Sequence, residues 1–311
     1  PVPDAGQLTY TYDRMNRRTS MNAAILGAPV IYEYDELGRL KTITDHAGNT
    51  FGFEYDELGR RVKLTRPNGV DTRYAYDEAG QPAGIEHQRD GTVIEQAVYT
   101  YDKRGLRDSM TTSAGTHEFT YDDTGQILSA THPDQPDETF AYDALGNHVD
   151  TGQVVDAANR LLENNDFEYE YDANGNLTTM IAKADGATTT CTWDELNRLT
   201  AITLPDSTTY SFAYCFAGKR LSITGPEGTI SFVYDAEDII ACVDEAGNRI
   251  RGFVHGPGID EPLALTPATG ASLYYLADGL GTIQALADDE GAVVERYRYS
   301  TFGETTILDA G

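Results

Sequence analysis

Aromatic residues two positions apart, each pair followed by a turn signature, set the hydrophobic pattern of this chain. In Tyr32-Glu33-Tyr34 the two rings share one face of an extended strand and Glu33 takes the other. Asp35-Glu36-Leu37-Gly38 comes next, with Asp at the first and Gly at the fourth position of a β-turn. Arg39-Leu40 then opens a second strand. The unit returns with Tyr55, Asp56 and Gly59, with Tyr76, Asp77 and Gly80, and with Tyr101, Asp102 and Gly105. It returns again with Tyr121, Asp122 and Gly125, with Tyr142, Asp143 and Gly146, and with Tyr171, Asp172 and Gly175. Trp193, Asp194 and Asn197 fill a further copy, Asp13 and Asn16 an early one, and Cys215 takes the Asp slot after Tyr214. Most intervals are 20 to 22 residues, a period that signals a repeat architecture.

Each copy predicts two strands and two turns. Asn16 and Asn197 stand in the Gly slot, and Asn is the side chain that best tolerates a left-handed backbone. Positive φ is therefore expected at Gly38, Gly59, Gly146 and Gly175. The second strand, as in Arg61-Val62-Lys63-Leu64-Thr65, ends in a second turn such as Asp45-His46-Ala47-Gly48 or Pro67-Asn68-Gly69. Leu40 and Ile43, like Leu199 and Ile202, are apolar residues three apart, which predicts a bulge just after the cassette turn. The paired aromatics (Tyr32 and Tyr34, Tyr74 and Tyr76, Tyr169 and Tyr171) are expected to stack with those of neighbouring repeats into ladders.

The rhythm breaks between Asp143 and Asp172. Asp156-Ala157-Ala158-Asn159-Arg160-Leu161 keeps the turn half of the motif without a preceding Tyr-x-Tyr, and reads as a shortened hairpin. At Asp235-Ala236-Glu237-Asp238 the Gly slot holds Asp and the match is poor. Nothing shows the 3.6-residue period of a long helix. The fold class is all-β: an array of antiparallel β-hairpins forming a large curved or spiralling sheet.

Composition narrows the partners. The 311 residues permit two domains, but the repeat argues for one quasi-linear array whose units contact their neighbours. A formal net charge of −27, with no basic run, is unfavourable for nucleic-acid backbones and anionic membrane surfaces. Neither nucleic-acid binding nor membrane insertion is expected. The longest uncharged apolar stretch, residues 21–32, is too short to span a bilayer and contains Gly27 and Pro29. No signal peptide is visible, and the chain opens in mid-repeat. Cys191, Cys215 and Cys242 are odd in number and scattered, so free thiols are expected rather than a bridge or a zinc site.

Catalytic chemistry finds little support. The many carboxylates are turn-forming Asp residues, and a catalytic pair does not need a dozen copies. Asp288-Asp289-Glu290-Gly291 lacks the alternating oxygen ligands of a calcium loop and reads as a hairpin tip. The six histidines, His46, His87, His117, His132, His148 and His255, show no metal-ligand spacing. Gly-x-Ser-x-Gly, His-Glu-x-x-His and a phosphate-cradling Gly-Lys-Ser/Thr are all missing from the sequence. No catalytic residue, cofactor or metal site is assigned.

The cassette resembles the YD repeat of bacterial Rhs proteins, shared with toxin-complex shell subunits and teneurins. Phe253-Val254-His255-Gly256-Pro257-Gly258-Ile259-Asp260-Glu261-Pro262-Leu263, Tyr274-Tyr275-Leu276-Ala277-Asp278-Gly279-Leu280-Gly281-Thr282 and Tyr297-Arg298-Tyr299-Ser300-Thr301-Phe302-Gly303-Glu304 resemble the opening of the Rhs-associated core. The resemblance divides the chain into a YD-repeat array over 1–249 and the start of that core over 250–311, continuous with the array. In the family, a later Asp-Pro-x-Gly region cleaves itself and releases a variable C-terminal toxin. This sequence stops at Asp309-Ala310-Gly311 before any such motif, so no self-cleaving aspartate is carried over.

The resemblance implies a structural role, as a section of β-shell that encloses and shields a toxin polypeptide in a secreted or cell-surface bacterial system. Its implied partners are the remaining repeats of the same polypeptide and the enclosed C-terminal toxin domain. The rivals are an adhesion or glycan-binding module, whose tyrosine faces stack on sugars, and a self-cleaving peptidase completed by a downstream segment. Geometry adds one expectation. About 24 strands at ~4.8 Å give a sheet of roughly 115 Å, too little for one ring to enclose a folded domain. An open strip or partial spiral that self-associates through its edges is expected.

Overall fold

The computed structural model describes residues 7–149 and 152–309. It contains 29 β-strands and one short 3-10 turn at Ala24–Leu26. The strands form two antiparallel sheets of 13 and 16 strands, and in both the strand order is the chain order. Each hairpin therefore lies beside the one that precedes it in sequence. The fold is all-β, as the alternation implies, but the array is divided between two sheets where the sequence suggested one.

The division falls where the pattern weakens. The first sheet ends at the two-residue strand Glu138–Thr139, and the second starts at the two-residue strand Val154–Val155. Pro133 and Pro136 stand just before that end, and proline donates no ladder hydrogen bond. The Asp143 cassette between the two sheets in sequence keeps its turn and, among the described residues, one isolated bridge, Tyr142 to His148.

The local geometry follows from the cassette residues. The Asp35 N–H donates to the Arg39 carbonyl (2.9 Å) and the Gly38 N–H to the Asp35 carbonyl (3.0 Å), with Gly38 at φ 82°. This is a three-residue hairpin loop, a type I turn closed by a left-handed residue. Gly59, Gly146 and Gly175 have φ of 79°, 86° and 88°, and Asn16 and Asn197 of 62° and 57°. The bulge lies one residue into the second strand. Glu33 pairs with Thr42 and Tyr34 with Leu40, which leaves Lys41 as the extra residue. Tyr55 with Arg61 and Trp193 with Leu199 repeat the shift.

Two compact units result. In the larger, the strands of residues 7–138 face those of 249–309, with residues 234–241 added. Val70, Leu276, Ala285 and Ala287 form a buried cluster in it, and Ile94 and Val293 pack against that cluster. Full burial of a valine or leucine stabilises by about 1.5–3 kcal/mol. Phe51 meets Tyr274 with ring centroids 6.2 Å apart.

The smaller unit holds residues 139–233 and 242–248. From 139 to 230 no described residue is buried. This stretch is a meander without a core, so it depends on contacts between successive hairpins. Cross-strand threonine pairs provide some of them, as in Thr192 with Thr200 (3.1 Å) and Thr224 with Thr229 (2.9 Å).

Candidate functional site

The repeated turn is the site that the sequence singles out, and its aspartate acts as a backbone cap. The Asp35 Oδ1 accepts the N–H groups of Leu37 (2.9 Å) and Arg39 (2.9 Å). Its Oδ2 accepts Arg39 Nε at 2.7 Å. Asp56, Asp156 and Asp194 do the same with Arg60, Arg160 and Arg198, each at 2.7 Å. Where the fourth residue after Asp is Asn, its amide replaces the guanidinium, as in Asn147 to Asp143 (2.9 Å) and Asn176 to Asp172 (2.9 Å). In Asp156 the backbone N–H and then the side chain of Arg160 hold the carboxyl below its usual range. Asp13 is held down likewise by the backbone and side chain of Arg17.

The same arginine reaches the next repeat. Arg39 Nη1 donates to the Asp56 carbonyl (3.1 Å), and the guanidinium lies 4.8 Å from the Tyr55 ring centroid. Arg198 donates to the Cys215 carbonyl (2.9 Å) and lies 5.1 Å from Tyr214. Arg17 covers Tyr34, Arg60 covers Tyr76 and Arg160 covers Tyr171. The tyrosine hydroxyl answers in the other direction, donating to a carbonyl five residues past the preceding cassette aspartate. Tyr34 reaches Arg18 (2.8 Å), Tyr55 reaches Leu40 (2.9 Å), Tyr76 reaches Arg61 (2.9 Å) and Tyr101 reaches Pro82 (2.7 Å). Tyr121 reaches Arg107 (2.7 Å), Tyr171 reaches Leu161 (2.7 Å), and the Trp193 Nε1–H reaches Leu177 (2.7 Å).

A family model for the teneurin YD-shell matches residues 4–162, just over half of the chain, and one for the RHS repeat matches residues 171–209. The chain belongs to the teneurin YD-shell family. Among its relatives is the double-stranded DNA deaminase toxin A of Burkholderia cenocepacia (strain H111), 28% identical over 271 residues. That alignment covers 74% of this chain and 19% of the toxin. The tRNA nuclease WapA of Bacillus subtilis (strain 168) is 27% identical over 205 residues, 61% of this chain and 8% of the nuclease. The chain thus spans less than a fifth of either protein. Among solved structures, the Photorhabdus luminescens Tc holotoxin pore superposes with a TM-score of 0.66 at 16% identity, covering 98% of this chain and 18% of that one. The TcdB2–TccC3 structure gives 0.64 at 16% identity, covering 98% and 19%. At such identities the likeness is one of fold.

The YD-shell hairpins depart from the sequence expectation in how their aromatics meet. Tyr32 and Tyr34 are half-buried and flank exposed Glu33, so the pair shares a face. Rings of successive cassettes, however, are separated by an intervening strand, about 9.6 Å at ordinary strand spacing. Direct ring contact requires centroids within about 7 Å. Where an arginine stands four residues after the cassette Asp, its guanidinium fills the gap, and there arginine alternates with tyrosine instead of ring stacking on ring. Ring contacts occur within strands, as in Tyr10 with Tyr12 (6.5 Å) and Phe167 with Tyr169 (6.3 Å).

Cys215 shows how much the YD-shell turn owes to its backbone. Its N–H still donates to the Lys219 carbonyl (2.9 Å), and Gly218 N–H to the Cys215 carbonyl (3.0 Å). None of the three cysteines forms a disulfide. Asp235, by contrast, is no cassette cap. Its nearly buried carboxylate accepts the Tyr10 hydroxyl (2.8 Å) and pairs with Arg18 (2.5 Å). In the 250–309 stretch His255 and Tyr299 occupy the tyrosine slot, with His255 Nε2 2.9 Å from the Ile239 carbonyl and Tyr299 donating to Ile283 (2.6 Å).

Strand pairing also gathers residues that looked scattered. His117 Nδ1 lies 2.8 Å from His132 Nδ1, and His132 Nε2 lies 3.0 Å from Glu138 Oε2. Glu138 accepts the N–H (2.8 Å) and hydroxyl (2.7 Å) of Thr301 in the facing layer of the larger unit. No group of three or more His, Cys, Asp or Glu among the described residues is placed to hold a metal ion. The Asp289 carboxylate, at the proposed hairpin tip, accepts the Ser272 N–H (2.9 Å).

Proposed function

We propose that this chain is a section of β-shell wall that encloses and shields a toxin polypeptide. The observation that carries it is the arginine–tyrosine clasp. Clasped hairpins are tied to the next by contacts running along the sheet, as Arg160 with Tyr171 and Arg198 with Tyr214, within a 139–230 stretch where no described residue is buried. A wall needs such lateral cohesion, whereas an enzyme needs convergent reactive groups. The wall role assigns residues 1–249 to the repeat array and 250–311 to the start of the core region. Its partners are further repeats of the same polypeptide and the enclosed toxin, in a protein secreted or displayed by a bacterium. The toxins and nucleases among the relatives support this reading, while the toxic chemistry belongs to other parts of those chains. An adhesive role for the tyrosines is disfavoured because guanidinium groups cover their rings and backbone carbonyls engage their hydroxyls.

Protease protection tests the proposal. In the full-length protein, the polypeptide downstream of this array is expected to survive trypsin at concentrations that digest it when expressed alone. Equal digestion rates for the two forms would sink the shell reading.

A further inference from the structure

In the larger unit, residues 132–138 form a strap between its two layers, beside a cavity of about 900 Å³. The strap grips residues 298–301 of the facing layer. Gln135 Nε2 donates to the Tyr299 carbonyl (2.9 Å), and Arg298 Nη1 donates to the Asp134 carbonyl (2.8 Å). Glu138 takes both the N–H and the hydroxyl of Thr301. At the other end the His132 N–H donates to the Asp137 carboxylate (3.1 Å), and the His132 ring meets His117 of the strand Gly115–Tyr121. His117 is 8% exposed and the His132 side chain 3%, so both rings lie out of bulk water. His117, His132, Asp134 and Thr301 line the cavity together with apolar Met110 and Phe119.

The geometry fixes where the protons sit. His117 Nδ1 and His132 Nδ1 are 2.8 Å apart, so one donates and the other accepts. Burial raises the Glu138 carboxyl, but the hydroxyl and N–H of Thr301, and then His132, outweigh it and hold the group below its usual range. Glu138 is therefore an ionised acceptor at neutral pH. His132 Nε2 lies 3.0 Å from Glu138 Oε2, so this nitrogen carries a hydrogen. In the neutral pair His132 is thus the Nε2–H tautomer, and His117 donates from Nδ1. One added proton fits. His132 becomes an imidazolium beside Glu138, its Nδ1–H donates to His117 Nδ1, and the hydrogen of His117 moves to Nε2. A second proton does not fit, because both Nδ1 atoms then carry hydrogens and two like charges face each other.

Other charged groups surround the pair. On the strap Asp134 pairs with Arg298 (3.6 Å), and Asp137 holds the His132 N–H. Glu95 pairs with Arg296 (3.2 Å) on the cavity wall, which Arg107 and Asp278 also line. Burial, and then His132, hold the His117 imidazole below its ordinary range, against a smaller opposing pull from Asp134. We propose that the His117–His132 pair is an acid-released latch: a second proton parts the rings, and the strap of residues 132–138 lifts from Thr301 and opens the cavity. His132 is the ring that moves, since it sits in the strap, whereas His117 stands in a strand paired on both sides. The open latch takes up both protons near the ordinary histidine value of about pH 6.5, while the closed latch takes up one. Closure is therefore fully favoured above that pH and is lost as pH falls. The latch belongs to the larger unit and stands without the shell role.

NMR of the purified chain, ¹⁵N-labelled at histidine and threonine, tests the latch. At about pH 8 His117 is expected as the Nδ1–H tautomer and His132 as the Nε2–H tautomer, and on acidification the two should titrate in separate steps. Across the second step the exchange of the Thr301 amide, corrected for the intrinsic effect of pH, should rise by about tenfold, the scale of one pH unit of linkage. In His117→Asn, whose amide still bonds His132 but does not titrate, that rise should fall below about twofold. His87 is unchanged in this variant, so any acid effect through His87 persists there and is subtracted. If His117→Asn does not fold, the wild-type tautomers and the wild-type Thr301 exchange decide. Nε2–H tautomers on both rings, one common midpoint, a Thr301 amide indifferent to acid, or the same rise in His117→Asn overturns the proposal.

Discussion

Arg39 binds Asp35 of its own turn through Nε at 2.7 Å while its guanidinium lies 4.8 Å from the ring centroid of Tyr55 in the next repeat. One side chain thus completes a turn and joins two hairpins. The carboxylate fixes the guanidinium plane, and the fixed plane covers the ring. In this arrangement lysine is no substitute, because an ammonium is a point charge without a planar face.

The clasp should be measurable as a coupling. Arg39→Ala and Tyr55→Ala, combined in a double-mutant cycle, are expected to show an interaction free energy of about 0.5–1 kcal/mol in urea unfolding. Arg39→Lys should recover little of it. Additive effects of the two alanine substitutions would mean that the stacked geometry contributes nothing.

The turn glycines should discriminate by backbone and not by space. At Gly59, φ is 79° and an added Cβ meets nothing within 4 Å. Gly59→Ala is expected to cost about 1–2 kcal/mol from the left-handed conformation alone. Gly59→Asn should cost less, because Asn16, Asn159 and Asn197 hold that conformation in the same slot. Thermal melts of the two variants check the order, and an equal loss for both contradicts it.

Restoring the missing cap should stabilise the Cys215 turn. Its backbone already has the cassette hydrogen bonds, so a carboxylate placed there meets preformed donors. Cys215→Asp is expected to raise stability by about 1 kcal/mol. A fall in the urea midpoint would show that the added negative charge, on a chain already at −27, outweighs the cap.

Acid should weaken the larger unit through His87. Its ring is buried, with Thr72 at 2.8 Å from Nδ1 and the Ala277 carbonyl at 3.1 Å from Nε2. Burial, and then the neighbouring Arg66, push its pKa down to about 3. The unfolded chain binds this proton below about pH 6.5 while the folded chain does not, so the stability is fully present above that value and is lost as pH falls. Between neutral pH and about pH 5 the loss from this group is about 2 kcal/mol. His87→Gln should reduce the difference between unfolding free energies at the two pH values by that amount. An unchanged difference would place the pH dependence elsewhere.

How far the sequence reaches depends on where the determining contacts lie. Asp35 and Gly38 are legible because a three-residue loop is decided by its own residues. The bulge at Lys41 is foreshadowed by the spacing of Leu40 and Ile43, but its register becomes visible only against Tyr34 on the partner strand. The division into two sheets has a local trace in Pro133, Pro136 and the irregular Asp156 hairpin. Nothing local tells Asp235, partnered by Tyr10 and Arg18, from a cassette aspartate. His117, His132 and Glu138 likewise look scattered until strand pairing brings them together. The recurrence of Arg or Asn four residues after the cassette Asp was readable, but its reach to the next repeat was not, because that contact depends on how the strand it opens pairs with the first strand of the next hairpin.

The central claim is that these hairpins form a wall around another polypeptide, and cryo-electron microscopy of the full-length protein tests it most directly. The expected result is a sheet of these hairpins, with Arg39 over Tyr55, bounding density for the downstream polypeptide on its inner side. A downstream domain folded separately outside the sheets and open to solvent would contradict it.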